Sequence, residues 1–436
     1  MMFQASAVYG VTSQSQNKTG DVALTQMLDT LNIESDGNGG YQCADEVARA
    51  RGCVPSNPFN TADSLAGQAG IVGFSQEAVD YIGIDTGQTG EIRQFVLKST
   101  LSGDLPIELE EGALSFAAGI EYRKEEARET PDSFRQLGIS RDLPIADIVG
   151  DFDVVEAFGE IYAPVAEWLN VSLAARVGNY STVGTTSTYR LGIDAPVSDD
   201  FRIRASQSLS VRAPNINDLF STGATGVAPT NTDPCNGVDL STSGNIAENC
   251  RSISTIADRI DETGSFTLVA SEANNTRLLQ TGSLDLKEES ANSMTLGVVY
   301  TPDSNWSVSL DYYDISIEDG ITRVGPDVFV NRCYSVSPSD FDASCGGNLI
   351  RDTNDGPILN LRSTLINANT IDTSGVDLEV AYVQDNLNMN LVANFLGDYT
   401  VTGASGATEE FAGRPIYPDL RVTMSASYDV TDQINL

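Results

Sequence analysis

The most constraining feature of this 436-residue chain is a two-residue rhythm of apolar and polar side chains, repeated in segments of about ten residues. Leu114, Phe116, Ala118, Ile120 and Tyr122 alternate with Ser115, Ala117, Gly119, Glu121 and Arg123. From Phe201 to Arg212 one face carries Phe201, Ile203, Ala205, Leu209 and Val211, interrupted by Gln207, and the other carries Arg202, Arg204, Ser206, Ser208, Ser210 and Arg212. Leu420 to Val430 repeats the pattern with Arg421, Thr423, Ser425, Ser427 and Asp429 as its polar set. A strand puts successive side chains on opposite faces, so each segment is a strand with one greasy and one wet side.

About twelve such segments lie near 2–12, 91–102, 113–124, 152–163, 169–180, 188–196, 200–212, 291–301, 305–318, 358–383, 387–398 and 418–430, with another strand expected after Gln433. The segment at 305–318 changes phase around Tyr312-Tyr313, which suggests a bulge or an exit from the buried zone. Connections alternate between short (164–168, 196–200, 302–305, 383–386, 431–433, and 103–112 in phase) and long (13–90, 125–151, 213–290, 319–357, 399–417, with 181–187 shorter). A meander with tight turns at one end and large loops at the other has two different environments at its ends. Tyr162, Trp168, Phe201, Tyr300, Trp306, Tyr382 and Tyr428 sit beside short turns, as an interfacial girdle would. The implied fold is all-β: an antiparallel transmembrane β-barrel with long surface loops. Leu24, Leu28 and Leu31 predict a short surface helix within 21–34, and Ser75 to Tyr81 another.

Arg202, Arg204, Glu121 and Arg123 then face water or a plug instead of an apolar core, where each would be expensive. For Arg202, Arg204 and Arg212 we expect salt bridges to neighbouring strands or to a plug. No apolar run reaches the roughly 18–20 residues of a spanning helix. The N-terminus has neither a basic nor an apolar signal region, so no signal peptide is expected.

Lys plus Arg is 25 and Asp plus Glu 61, giving a formal net charge of −36, which argues against a nucleic-acid partner and which we place mostly on solvated loops. Histidine is absent, which removes the Ser-His-Asp and Cys-His nucleophile systems and every His-ligated metal site. No catalytic residues, cofactor or metal site are expected, and the chain reads as a non-enzyme. Asp352-Thr353-Asn354-Asp355-Gly356 lacks the later Glu of a calcium loop and reads as a turn.

The six cysteines form three local couples in polar stretches: Cys43 with Cys53, Cys235 with Cys250, and Cys333 with Cys345. Six cysteines allow about 15 connectivities; local pairing is the simplest, and it implies an oxidising compartment.

Several stretches resemble TonB-dependent receptors, the energised outer-membrane transporters of Gram-negative bacteria. Arg212-Ala213-Pro214 ending a strand, followed by Leu219-Phe220, is similar to a motif of that family. Leu286-Lys287-Glu288-Glu289, leading into the next strand, resembles its Leu-Lys-Pro-Glu segment, with Glu288 where Pro is usual. Ser374-Gly375-Val376-Asp377 and Leu114 to Arg123, with Gly119 to Arg123, also fit, and Cys43 to Asn60, with Cys53 to Phe59 inside it, resembles an outer loop of such receptors. The resemblance implies a barrel of twenty-two strands, of which residues 1–436 would supply the middle part, with the plug, the TonB-contacting box and the barrel C-terminus absent. It implies uptake of a scarce solute (siderophore, cobalamin or oligosaccharide-like) in partnership with TonB and outer-membrane lipid. The ligand-binding residues stay unknown. The alternatives are a passive outer-membrane porin and, from another class, a soluble secreted β-domain such as an adhesin or binding module.

Overall fold

Alternating segments become one continuous ladder. The computed structural model describes residues 1–57, 74–140, 144–228, 232–302, 305–341, 345, 347–431 and 434–435. Parts of the expected turns at 302–305 and 431–433, and Pro58 to Asn60, lie outside them. The long strands are β1 (Met2–Val22), β2 (Gly83–Leu109), β3 (Gly112–Pro131), β4 (Ile148–Ala166), β5 (Leu169–Tyr180), β6 (Gly184–Pro196), β7 (Phe201–Arg212), β8 (Glu289–Tyr300), β9 (Trp306–Arg323), β10 (Ile358–Gln384), β11 (Leu387–Thr402) and β12 (Leu420–Thr431). Each pairs antiparallel with the next. Short strands at the ends extend the sheet to 17 strands. Among the described residues no ladder joins β1 to β12, and β1 is exposed along most of its length.

Register aligns the faces. Across β7 to β12 one row reads Ile203, Val298, Leu310, Leu378, Ala393 and Val422. The adjacent row, on the other face, reads Arg204, Gly297, Asp311, Asp377, Asn394 and Arg421. On the earlier strands the same face carries another row, Phe116, Ile161, Leu173 and Leu191, which meets Gln207 on β7. Most side chains on this face have no core behind them: Leu173 is 51% exposed, Val422 54% and, on the same face of β3, Ile120 62%, while the small Ala393 is covered by its neighbours. The two clusters of buried hydrophobic residues lie mainly in and beside the loops instead. A belt of exposed aliphatic side chains around a hydrogen-bonded wall is what hydrocarbon requires. Phe201 faces Tyr300 and Trp306 faces Tyr382 at the turn ends, with ring centroids 6.4 and 4.5 Å apart.

Several strands outrun their sequence signal. The ladder of β1 with β2 continues to Val22 and Gly83, so the loop expected at 13–90 is 23–82. Residues 13–20 are polar on both faces, which erases the rhythm while the backbone bonds persist. The bulge expected at Tyr312-Tyr313 lies elsewhere: β9 pairs regularly to Ile317 and shifts around Gly320, while β10 and β11 shift between Ser374 and Gly375. Tyr313 breaks the rhythm because its ring covers Gly375 across the ladder. A Cβ on Gly375 would sit 2.5 Å from the tyrosine Oη. The helices expected in the first loop are Leu24–Leu31 and Gln76–Ile82, and Ile434–Asn435 pairs with β12.

Placing an arginine in the belt, Ile120→Arg, should destabilise the membrane-inserted protein by about 2–4 kcal/mol, against much less for Thr423→Arg on the polar face. Urea unfolding in lipid vesicles reads both, and equal effects would show that the two faces do not meet different media.

Candidate ligand-capture site

The wall ends in a bracket of charged groups on the loop side. Arg212, the last residue of β7, donates from Nε to Glu289, the first of β8, and from Nη1 to Asp218 at 3.2 Å. Asp218 also closes a capping box with Asn215 at the start of the helix Ile216–Phe220. Ile216 and Leu219 are buried, Pro214 fully so, and Phe220 packs where a Cβ on Gly150 would stand. Glu289 Oε1 accepts from Ile321 N at 2.6 Å. The Lys287 backbone exchanges bonds of 2.8 and 3.0 Å with the Asn367 side chain. Asp377 accepts from Asn394 at 2.8 Å. Arg212, Pro214, Leu219, Phe220, Lys287 and Glu289 thus converge on one mouth, with Ala213 in the same turn, whereas Gly375 and Asp377 sit lower in the wall.

Above this mouth the loops 213–288 and 324–357 fold together as a cap. Their shared core includes Ile256, Ile260, Phe266, Val330, Tyr334 and Leu361. Disulfides join Cys235 to Cys250 and Cys333 to Cys345, and a third, Cys43 to Cys53, staples the first loop. At the centre of the cap Arg351 is almost wholly buried. Its guanidinium grips Asp233 with two bonds of 2.7 Å, donates to Tyr334 Oη at 2.7 Å and Gly356 O at 2.7 Å, and lies 3.3 Å from Cys235 Sγ. With its donors satisfied, this charge can persist in a dry interior. Arg49 does related work in the first loop, binding Ala44 O at 3.0 Å, Glu34 at 2.9 Å and the Cys43 carbonyl. Disulfides and the two arginine nodes remove conformational freedom from these loops.

Facing the lumen, a cavity of about 290 Å³ opens between the wall and the helix Ile216–Phe220, lined by Thr12, Gln14, Glu125, Glu129, Ile148 and Asn217 among others. Below it the wall is ionic but largely self-neutralised. Arg204 reaches across β8 to Asp311 on β9 with bonds of 2.7 and 2.6 Å, passing over Gly297, where a Cβ would overlap the carboxylate. Arg176 meets Glu156 at 2.9 Å, and Arg202 meets Asp194 at 3.4 Å. Phe158 lies between Lys98 and Arg176, each about 5 Å from its ring centre. Tyr399, Phe411 and Tyr417 cluster at the mouth, with Arg414 stacked 4.3 Å from the Phe411 ring centre.

Sequence reasoning found the strand-end motif residues but missed Arg351, Asp233, Gly297 and the aromatic trio. Asp233 and Arg351 are 118 residues apart, and no local pattern joins them. Asp352 forms the expected turn, accepting from Asn354 N and Asp355 N at 2.7 and 3.2 Å. Among the described residues no group of three His, Cys, Asp or Glu could hold a metal ion.

A family model described as TonB dependent receptor-like, beta-barrel, matches residues 8–434. No curated protein matches the chain. Among solved structures, the siderophore receptor PirA from Acinetobacter baumannii superposes with a TM-score of 0.51 at 14% identity, over 81% of this chain and 42% of that one. A mutant ferric enterobactin receptor, PfeA, from Pseudomonas aeruginosa gives 0.52 at 12% identity, over 81% and 41%. Another PfeA mutant, solved in complex with enterobactin, gives 0.52 at 12%, over 82% and 42%. At such identities the likeness shows the fold alone. The chain spans about two fifths of the length of these receptors.

Asp233→Asn should strand the Arg351 charge in the cap at a cost of about 3–5 kcal/mol. Hydrogen exchange should then show the cap opening while the β7 to β12 ladder stays protected; an unchanged cap would contradict the assigned role. In the same cap, hydroxyls of Ser241 and Thr242 hold the half-buried Asp239 carboxyl down to about 2. A depressed carboxylate supports its turn fully above the ordinary value of about 3.9 and loses that support as pH falls towards 2. Protection of the Ser241 and Thr242 amides, taken relative to their intrinsic exchange rates at each pH, should therefore stay level down to about pH 4 and fall below it.

Proposed function

The chain belongs to the TonB-dependent receptor β-barrel family, and from that premise we propose that it forms wall and capture loops of an outer-membrane receptor for energised uptake of a scarce solute. Siderophores, cobalamin and oligosaccharide-like solutes are the candidate classes. The observation that carries the reading is the family match over 8–434 on a sheet whose register gathers exposed apolar residues on one face. Residues 1–436 then form part of one barrel domain. An open β-edge is not tolerated in hydrocarbon, so β1 and β12 take further strands as partners in the assembled barrel.

Each part has a task. The belt seats the wall in the outer membrane of a Gram-negative bacterium. The cap, stiffened by disulfides and the Arg351 node, holds the solute above the mouth. The bracket of Arg212, Asp218 and Glu289 fixes where the cap joins the wall. The ionic inner face gives a plug a polar bed, and TonB acts through that plug region, outside the matched barrel residues. The work is transport, with no bond made or broken in the solute.

Deleting the gene should abolish uptake of one member of a panel of labelled ferric siderophores, cobalamin and oligosaccharides at limiting concentration. The intact gene should restore it, and deletion of TonB should abolish it again. Uptake that persists without TonB would overturn the reading in favour of a passive pore.

A further inference from the structure

Where the long strands pair regularly, among the described residues, three cations point to the same side as the apolar belt. They are neighbours. Alternation assigns Lys98, Arg123, Arg176, Arg190, Arg202, Arg204, Arg212 and Arg421 to the inner face, while Arg93 on β2 and Lys124 and Arg128 on β3 take the outer one. Their height is set by register. The outward rows run Ala7, Leu97, Tyr122, Val155; then Tyr9, Phe95, Lys124, Asp153; then Val11, Arg93, Glu126, Asp151; then Ser13, Glu91, Arg128, Val149. The cations therefore start where the apolar belt ends, next to the exposed rings of Tyr9 and Phe95, on the loop side. At comparable height β9 to β11 present Asp314, Glu318, Asp372 and Asp398 outward, with no cation.

The patch is also shaped. Arg93 is held by Glu91 and Lys124 by Glu126, both at 2.6 Å, which keeps the two cations fixed along the wall. Arg128 is exposed and has no ion pair or hydrogen bond to a described side chain. It borders the cavity of about 290 Å³ under the helix Ile216–Phe220 and also lines two adjoining cavities on the outer side. One, of about 230 Å³, is bounded by Arg93, Glu126, Val149 and Asp151; the other, of about 510 Å³, by Ser13, Ser15, Thr89 and Thr130. A guanidinium offers paired donors that match a phosphate, and the hydroxyls beside it add further donors.

We propose that Arg128, flanked by Arg93 and Lys124, binds the phosphate headgroup of an anionic lipid in the outer leaflet. The inference rests on the membrane reading above and adds a lipid partner to it. Continuity decides the occupant: acyl chains lying on Leu97, Tyr122 and Ile120 carry their headgroup to the level of Lys124 and Arg128. The carboxylates of Glu91, Glu126, Asp151 and Asp153 interleave with the cations, so the patch does not attract anions from a distance. It selects by contact, for a phosphate delivered by its own lipid, and the carboxylates can share divalent ions with neighbouring headgroups.

The test uses the full-length receptor purified in neutral detergent. It is titrated with bis-phosphorylated lipid A and with the dephosphorylated form of the same glycolipid, with magnesium present and with magnesium chelated. We expect roughly tenfold tighter binding of the phosphorylated form. Arg93→Gln, Lys124→Gln and Arg128→Gln combined should erase that preference, and Arg128→Lys should restore part of what Arg128→Gln loses. Arg190→Gln with Arg421→Gln, which removes two inward cations, should leave it intact. Heat-modifiable migration on gels verifies that each variant is folded. Equal binding of the two glycolipids, or a triple variant that keeps the preference, overturns the proposal, as does displacement of the lipid by millimolar inorganic phosphate alone. A receptor that leaves the envelope without detergent overturns the membrane reading as well, whereas a detergent-dependent receptor indifferent to phosphate overturns this proposal alone.

Discussion

Everything in this molecule follows from the backbone's need to pair its own polar groups where water cannot serve them. A wall facing hydrocarbon satisfies that need only strand to strand. Once the ladder is fixed, side-chain placement follows by parity. The row of Ile203, Val298, Leu310, Leu378, Ala393 and Val422 turns to one medium, and the row of Arg204, Gly297, Asp311, Asp377, Asn394 and Arg421 turns to another. The hydrophobic effect therefore does not build a conventional interior in the wall. It builds one in the loops, where Ile256, Phe266, Val330 and Tyr334 pack around a cap.

That division separates two kinds of rigidity. The wall is held by many equivalent backbone bonds and tolerates varied side chains on its polar face. The cap is held by a few particular contacts, among them two disulfides and the Arg351–Asp233 pair. Removing one partner of a buried pair leaves an uncompensated charge, so the cap is the more brittle unit. The bracket of Arg212, Asp218 and Glu289 joins the two units.

The wall was largely legible in the sequence because a period of two is a local signal. The segments, the alternation of short and long connections and the helices in the first loop could be read from neighbouring residues. What stayed hidden was non-local or lacked rhythm. The ladder of β1 with β2 runs on through residues 13–20, where both faces are polar. Tyr313 imitated a phase change because it shields Gly375. Asp233 and Arg351 meet across 118 residues, and the aromatic trio of Tyr399, Phe411 and Tyr417 joins a strand end to a loop. Arg212, Lys287 and Glu289 could be picked out by motif, yet their convergence on one mouth needed the fold.

The span of Arg204 over Gly297 to Asp311 has one more implication. Three neighbouring strands must arrive in the same alignment for that clasp to close, and a slide of one position would bring Leu296 or Val298 beneath the guanidinium and swing the aspartate towards the acyl chains. The clasp thus ties three strands to one register, because a hairpin displaced by one position would leave both charges without their partner.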